Sequence, residues 1–221
     1  MQIKDRIANF IGSRLKNVKS GEFGWQRFTL TRMAYLILPK LGYSHYSRGK
    51  EWDFVLDNII KPPARILDAG CARSLMIYEL DHRGYETYGL DFTAYFERLP
   101  ERIKFFQGDI LHTPFPDKYF DCVIAVSFIE HVGTGEYDAP TYDSGDLKAI
   151  AEIHRITKPG GQLLLTMPSK EWARDFELRS NIAADFRGYN DEAIERLVKG
   201  HFVIRKKEYK MGQHLLELQK I

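Results

Sequence analysis

The chain has 221 residues, of which 44% are hydrophobic, 28% charged and 13% aromatic, with a formal net charge of +2. This is the composition of an ordinary globular protein, and its length suits one domain with an appendage. The nearly balanced charge excludes a general electrostatic attraction for nucleic acid, so a nucleic-acid partner is not favoured, although local basic patches keep it open.

The cysteine content and the hydropathy of the chain argue against a disulfide-rich protein, a cysteine-ligated metal site and a membrane-spanning protein. The two cysteines, Cys71 and Cys122, have no metal-ligand spacing and form no disulfide framework, so we predict no metal and two buried thiols in a reducing compartment. The most apolar N-terminal stretch, residues 30–39, is too short to cross a bilayer, and no signal-peptide core is visible. We therefore expect a soluble, cytoplasmic protein with no membrane partner.

Residues 1–60 are predicted to form an N-terminal helical segment. They begin with an amphipathic stretch and continue, after two glycines, with helix-like apolar spacing. A helical cap packed on a sheet and a lid over a substrate pocket are both compatible with this pattern. The Lys61-Pro62-Pro63 sequence then ends the segment.

Residues 61–221 alternate between strand and helix patterns, which predicts an α/β fold with a doubly wound, mostly parallel sheet. Two late runs separated by a short turn are expected to pair as an antiparallel hairpin that completes the sheet. The predicted strands are 65–68, 86–90, 103–106, 121–126, 162–166, 202–209 and 214–218. The predicted helices are about 74–83, 93–98, 146–157 and 190–199, and residues 158–161 are expected to form a tight turn before the fifth strand.

The first strand, its turn and the next helix form the most informative motif. Asp68, Ala69, Gly70 and Cys71 lie where the strand ends and the helix is about to begin, as in nucleotide and cofactor sites. A dinucleotide site would carry more glycines, and an acid beside a pyrophosphate is repulsive. The same acid attracts a cationic amine and sulfonium, so the turn favours S-adenosylmethionine.

Two further strand ends carry acids. Asp91, followed by Phe92, can accept both hydroxyls of a ribose, with a helix N-cap as the structural alternative. Asp109, between Gly108 and Ile110, can accept the exocyclic amine of adenine while Ile110 contacts the ring. Because ligands of open α/β sheets bind at the carboxyl ends of the strands, Ser127 and Phe128 after the fourth strand complete the predicted cofactor site.

The order and spacing of these motifs resemble class I S-adenosylmethionine-dependent methyltransferases. The resemblance covers about residues 60–170 and rests on the segments 65–71, 89–91, 108–109, 120–126 and 158–165. It implies a seven-stranded sheet with a reversed final hairpin and S-adenosylmethionine as cofactor. Residues 127–138 and 143–149 also resemble a bacterial and archaeal subgroup associated with surface-polysaccharide or other glycan pathways.

The loops after the fourth and fifth strands supply candidate catalytic and acceptor residues. His131 has the intrinsic pKa of a general base, and Glu130 could orient it; in the structural alternative, Glu130 caps a helix and His131 packs beneath the loop. The loop 133–146 has the composition of a substrate-facing segment. The predicted substrate-binding residues are Tyr137, Asp143, Asp146 and Tyr189, although Asp146 could instead cap the following helix.

The favoured interpretation is a methyltransferase acting on oxygen or nitrogen of a small molecule, a sugar or glycan precursor. Alternatives are a non-catalytic cofactor-binding interaction module and an RNA or protein methyltransferase. An NAD-dependent oxidoreductase is disfavoured because the phosphate-loop glycines are missing. The oligomeric state is not predicted.

Overall fold

The computed structural model describes residues 47–71, 74–95, 99–136, 139–180 and 186–221, which contain seven strands and five α-helices. The strands are β1 (Arg65–Ala69), β2 (Glu86–Asp91), β3 (Lys104–Gln107), β4 (Phe120–Val126), β5 (Thr157–Pro168), β6 (Phe202–Lys210) and β7 (Gln213–Lys220). The helices are α1 (Ser47–Asn58), α2 (Met76–His82), α3 (Gly145–Ile156), α4 (Lys170–Ser180) and α5 (Asp191–Val198).

All seven strands form one sheet in the order β3-β2-β1-β4-β5-β7-β6. The pairs among β1 to β5 are parallel, whereas β7 runs antiparallel to both β5 and β6. The strand order reverses beside β1. After β3, at one edge of the sheet, the chain crosses to the other side of β1 and forms β4 there. This confirms the predicted doubly wound fold and its C-terminal hairpin.

Alternating strand residues fill the core on both faces of the sheet. Leu67 of β1 is buried in a cluster that includes Ile150 and Ile153 of α3 and Leu197 of α5. Its neighbour Ile66 is buried on the opposite side. The second cluster contains Phe54 and Val55 of α1 and Met76 and Leu80 of α2. Helices therefore cover both faces of the central strands, whereas the edge strands β3 and β6 are largely exposed or only partly buried.

Three elements differ from the sequence prediction. Residues 92–95 are not helical, and α4 occupies a stretch for which no helix was predicted. Residues 158–161, expected as a turn, lie within β5, which is irregular there. Thr157 pairs with Phe120 of β4, and the next paired residue of β5, Gln162, pairs with Cys122, so β5 has more residues than β4 over this stretch. The extra residues bulge outward, and Gly160 takes a φ of +70° there.

The N-terminal prediction is only partly within the described residues. Residues 1–46 lie outside them, so the cap or lid formed by 1–60 stays a prediction. The described part, α1, packs on the face of the sheet formed by β1, β4, β5 and β7 through Phe54 and Val55. Among the described residues, no helix combines the length and apolar character needed to cross a membrane.

Candidate cofactor and acceptor site

The carboxyl ends of β1 to β4 meet at one edge of the sheet and form a cleft. The empty space of the cleft, part of it open to solvent, is about 930 Å³. His131 lines it together with most of the predicted cofactor residues. Those cofactor residues are Gly70, Asp91, Phe92, Gly108, Asp109, Ile110, Ser127 and Phe128.

Gly70 brings the backbone close to the cleft at the end of β1. Its φ is +78°, a left-handed conformation that side chains disfavour, and its N–H donates to the Leu90 carbonyl at 2.8 Å. A Cβ placed at Gly70 would lie 2.6 Å from Phe128 Cγ. The position therefore requires glycine both for its backbone angle and for the space that the Phe128 ring occupies.

The other members of the predicted turn do not line the cleft. Asp68, Ala69 and Cys71 are all buried. Burial, assisted by the charges of Asp68 and Asp91, raises the pKa of the Cys71 thiol well above its usual value. The Cys71 side chain belongs to the core, with its Sγ 3.9 Å from the Leu90 carbonyl oxygen. The prediction that Cys71 contacts the cofactor is therefore restricted to its backbone.

Asp91 is held at the cleft by a tight local turn. Its Oδ1 accepts the Thr93 N–H at 2.8 Å and the Thr93 hydroxyl at 2.9 Å. Because residues 92–95 are not helical, Asp91 forms an Asx turn there rather than the helix N-cap considered as the alternative. Phe92 beside it is 40% exposed on the cleft wall, where a flat ligand could pack against it.

Asp109 connects the cofactor edge to the loop after β4. Its Oδ1 accepts the Leu111 N–H at 2.9 Å and caps a short 3₁₀ turn, Ile110–His112. Its Oδ2 accepts the Tyr142 hydroxyl at 3.0 Å. This hydrogen bond to a carboxylate raises the pKa of Tyr142. The carboxylate therefore holds two parts of the cleft wall together, a function that a Gly-Asp dipeptide does not reveal in sequence.

Ser127 follows β4 in a left-handed conformation, with a φ of +45°. Its N–H donates to both the carbonyl and the hydroxyl oxygen of Thr166 on β5, at 3.2 and 3.0 Å. Its hydroxyl donates to Glu51 Oε1 at 2.7 Å. Sequence reasoning missed Glu51, because it lies 76 residues away on α1 and only the three-dimensional fold brings it here.

His131 lies on the cleft wall between two glutamates. Its Nδ1 is hydrogen-bonded to Glu136 Oε2, and its Nε2 is 3.9 Å from Glu130 Oε1. Glu136 lines the cleft, whereas Glu130 is buried behind it. Glu136 was not among the predicted residues; its only sequence signal is an acid five positions after the histidine. His131, the candidate general base, therefore has a carboxylate near each of its ring nitrogens.

The three predicted substrate residues that the structure describes do not line the cleft. Tyr189 is buried, and its hydroxyl donates to Asp146 Oδ2 at 3.1 Å; burial raises the pKa of Tyr189 strongly. Asp146 does not cap α3, since Ser144 precedes the helix. Their hydrogen bond joins α3, which contains Asp146, to the segment between α4 and α5, which contains Tyr189, so the structure places both residues in a contact between elements. Asp143 is exposed away from the cleft lining, and Tyr137 lies outside the described residues.

Residues 67–165 match a family model described as a methyltransferase domain. A sterol 24-C-methyltransferase of Gibberella zeae is 32% identical over 155 residues, which cover 63% of this chain and 36% of that protein. A demethylmenaquinone methyltransferase of Lysinibacillus sphaericus is 29% identical over 115 residues, which cover 48% of this chain and 44% of that protein.

Among solved structures, one similar fold is the Burkholderia thailandensis 1,6-didemethyltoxoflavin-N1-methyltransferase with bound 1,6-didemethyltoxoflavin and S-adenosylhomocysteine. It matches with a TM-score of 0.60 and 14% identity, over 87% of this chain and 86% of that one. The seven-stranded sheet with its reversed β7 confirms the predicted fold. The match of residues 67–165 to a methyltransferase domain agrees with the predicted cofactor, S-adenosylmethionine.

The matched region, residues 67–165, contains most of β1, all of β2 to β4 and most of β5, and so includes every strand end that forms the cleft. The chain spans less than half the length of the two curated relatives named above. Within the described residues, no group of three or more His, Cys, Asp or Glu side chains is arranged to hold a metal ion.

Proposed function

We propose that this chain is an S-adenosylmethionine-dependent methyltransferase that methylates oxygen or nitrogen of a small molecule, specifically a sugar or glycan precursor. The observation that carries the proposal is a single cleft with Gly70, Asp91 and Asp109 on its wall. The match of residues 67–165 to a methyltransferase domain supports it independently.

The chemistry of the cleft fits S-adenosylmethionine better than a dinucleotide. Two carboxylates on the wall repel a pyrophosphate, but they accept hydrogen bonds from ribose hydroxyls and from the adenine amine. Asp91 is assigned to the ribose, and Asp109 with Ile110 to the adenine. The missing Cβ at Gly70 leaves room for the Phe128 ring, which lines the cleft beside the end of β1 and is available to contact a ligand there.

The bound cofactor supplies a methyl group on a sulfonium, and the protein supplies alignment and proton transfer. His131 is the proposed general base. With Nδ1 hydrogen-bonded to Glu136, Nε2 is the ring nitrogen proposed to take a proton from an acceptor hydroxyl or amine. Glu136 would then stabilise the imidazolium that forms, because a carboxylate next to it favours its positive charge.

Polar side chains on the side of the cleft near His131 support a sugar as the methyl acceptor. Glu136 and Tyr142 lie on the wall near His131, and carboxylate and phenol groups recognise hydroxyls well. An apolar acceptor is the second candidate, because Val132, Ala139 and Pro140 line the same region. The named curated relatives act on a sterol and on demethylmenaquinone, which favours including apolar acceptors in any test.

Calorimetry with S-adenosylhomocysteine tests the cofactor assignment. We expect the parent to bind, and Asp91→Asn to weaken binding by roughly 1–3 kcal/mol, as for lost hydrogen bonds to a charged group. Asp57→Asn is the matched control, since Asp57 is exposed on α1 and does not line the cleft. Binding of NAD without binding of S-adenosylhomocysteine would refute the proposal.

A labelled-methyl transfer screen then tests the acceptor. The panel should contain nucleotide sugars and glycans, apolar quinols and sterols, RNA, and unrelated proteins. Transfer to a sugar hydroxyl or amine supports the proposal, and transfer only to RNA or protein contradicts the acceptor class. Cofactor binding with no transfer to any member supports a non-catalytic interaction module.

A further inference from the structure

A buried carboxylate lies directly behind the cleft wall at the β4 end. Glu51 on α1 is only 3% exposed. Its Oε1 accepts the Ser127 hydroxyl at 2.7 Å and the Thr166 hydroxyl at 2.5 Å. Ser127 lines the cleft and Glu51 does not, so one hydroxyl group separates this carboxylate from the cleft.

Packing alone does not explain a glutamate at this place. Its neighbours on α1, Phe54 and Val55, are buried against β1, β4, β5 and β7, where an apolar side chain would fit. Removing a carboxylate from water is costly. Among the described residues its hydrogen-bond donors are the neutral hydroxyls of Ser127 and Thr166, which offset only part of that cost. Buried charges kept at such a cost are often found at functional sites.

The order of the strands indicates which part of a cofactor lies near Glu51. With adenine at the end of β3 and ribose at the end of β2, the rest of the molecule continues across β1 towards β4. Neighbouring strands are about 4.8 Å apart, so Ser127 lies on the side of the reacting sulfonium rather than of the adenine. A negative charge behind Ser127 attracts a positive charge in front of it.

We propose that Glu51 is a specificity residue that favours the cationic cofactor over its neutral product. S-adenosylmethionine carries a sulfonium where S-adenosylhomocysteine carries a neutral thioether, and the two share every other group. The carboxylate therefore strengthens binding of the methyl donor selectively and weakens inhibition by the product. The inference rests on the proposed function, because it needs the sulfonium to bind in this cleft.

The test compares the affinities of S-adenosylmethionine and S-adenosylhomocysteine by calorimetry in the parent and in Glu51→Gln. Glutamine keeps the size and one acceptor oxygen but removes the charge. We expect the preference for S-adenosylmethionine to fall by roughly tenfold, the effect of one unit charge about 6 Å away at an effective dielectric constant of about 40, between the values for a protein surface and for bulk water. Glu195→Gln makes the same change at an exposed position on α5 and should leave the preference unaltered.

A folded Glu51→Gln protein with the same ratio of the two affinities as the parent overturns the inference. This includes the case in which both affinities fall by the same factor, which is the result expected if Glu51 has only a structural role. A parent that binds neither ligand contradicts the proposed function instead. If Glu51→Gln does not fold, the double variant Glu51→Leu with Thr166→Val removes the charge and one of its donors together. The same loss of preference is expected there, and an unchanged ratio again overturns the inference.

Discussion

Replacing Gly70 with alanine tests whether the end of β1 touches the cofactor. Gly70 has a φ of +78°, and an added Cβ would lie 2.6 Å from Phe128 Cγ. The side chain of Phe128 must therefore rotate or shift, and Phe128 itself lines the cleft. The substitution thus combines a backbone penalty with a displaced ring in the binding site.

A matched glycine allows the two effects to be measured separately. Gly200 has the same φ of +78°, but its added Cβ would meet no atom within 4 Å. Alanine in this left-handed conformation costs roughly 1–2 kcal/mol at either position, which lowers the melting temperature by a few degrees for a chain of this size. At Gly70, moving the Phe128 ring away from its preferred rotamer adds about 0.5–1.5 kcal/mol.

The assay is calorimetry with S-adenosylhomocysteine, together with thermal unfolding of both variants. We expect Gly200→Ala to lose stability with an unchanged Kd, and Gly70→Ala to lose more stability and to bind at least about tenfold more weakly, or about 1.4 kcal/mol. Valine at Gly70 should abolish binding. Parental affinity in folded Gly70→Ala would show that neither Gly70 nor the Phe128 ring borders the ligand.

Three other measurements test separate parts of the account. His131→Ala should lower the single-turnover rate of methyl transfer by roughly 10²–10⁴-fold without changing S-adenosylhomocysteine affinity; a full rate would exclude His131 as the base. Cys71 and Cys122 are buried with raised thiol pKa values, so a disulfide reagent at pH 8 should modify neither until the protein unfolds. Hydrogen bonds, first from Lys104, lower the pKa of Glu86 to about 2, so its contribution to stability is complete above about pH 4.5 and is lost as the pH falls towards 2. Urea unfolding at pH 6 and pH 3 should show a stability difference between parent and Glu86→Gln that shrinks at the lower pH; it should be small, because the side chain is 41% exposed.

Local sequence determined the sheet and the acids at its edge. A buried strand followed by a small-residue turn and a helix is a pattern that can be recognised in a short stretch of sequence. Gly70 within that turn indicates a backbone conformation that few other residues tolerate. Asp91 and Asp109 could be placed at strand ends because parallel strands direct their carboxyl ends to the same edge. The reversed β7 also follows from sequence, since a short Gly-containing turn between two strand patterns favours an antiparallel hairpin.

Tertiary structure decided the groups that lie behind and around the cleft. Glu51 meets Ser127 only because α1 packs on the β4 and β5 face of the sheet. Tyr189 and Asp146 are hydrogen-bonded to each other outside the cleft lining, although the sequence had suggested both as substrate-binding residues. Side-chain direction and long-range packing depend on how separate elements are assembled, and no local periodicity encodes them. The sequence alone was therefore sufficient to predict the residues at the strand ends that form the cofactor side of the cleft. The residues on the acceptor side, and the buried carboxylate of Glu51, could be identified only from the tertiary structure.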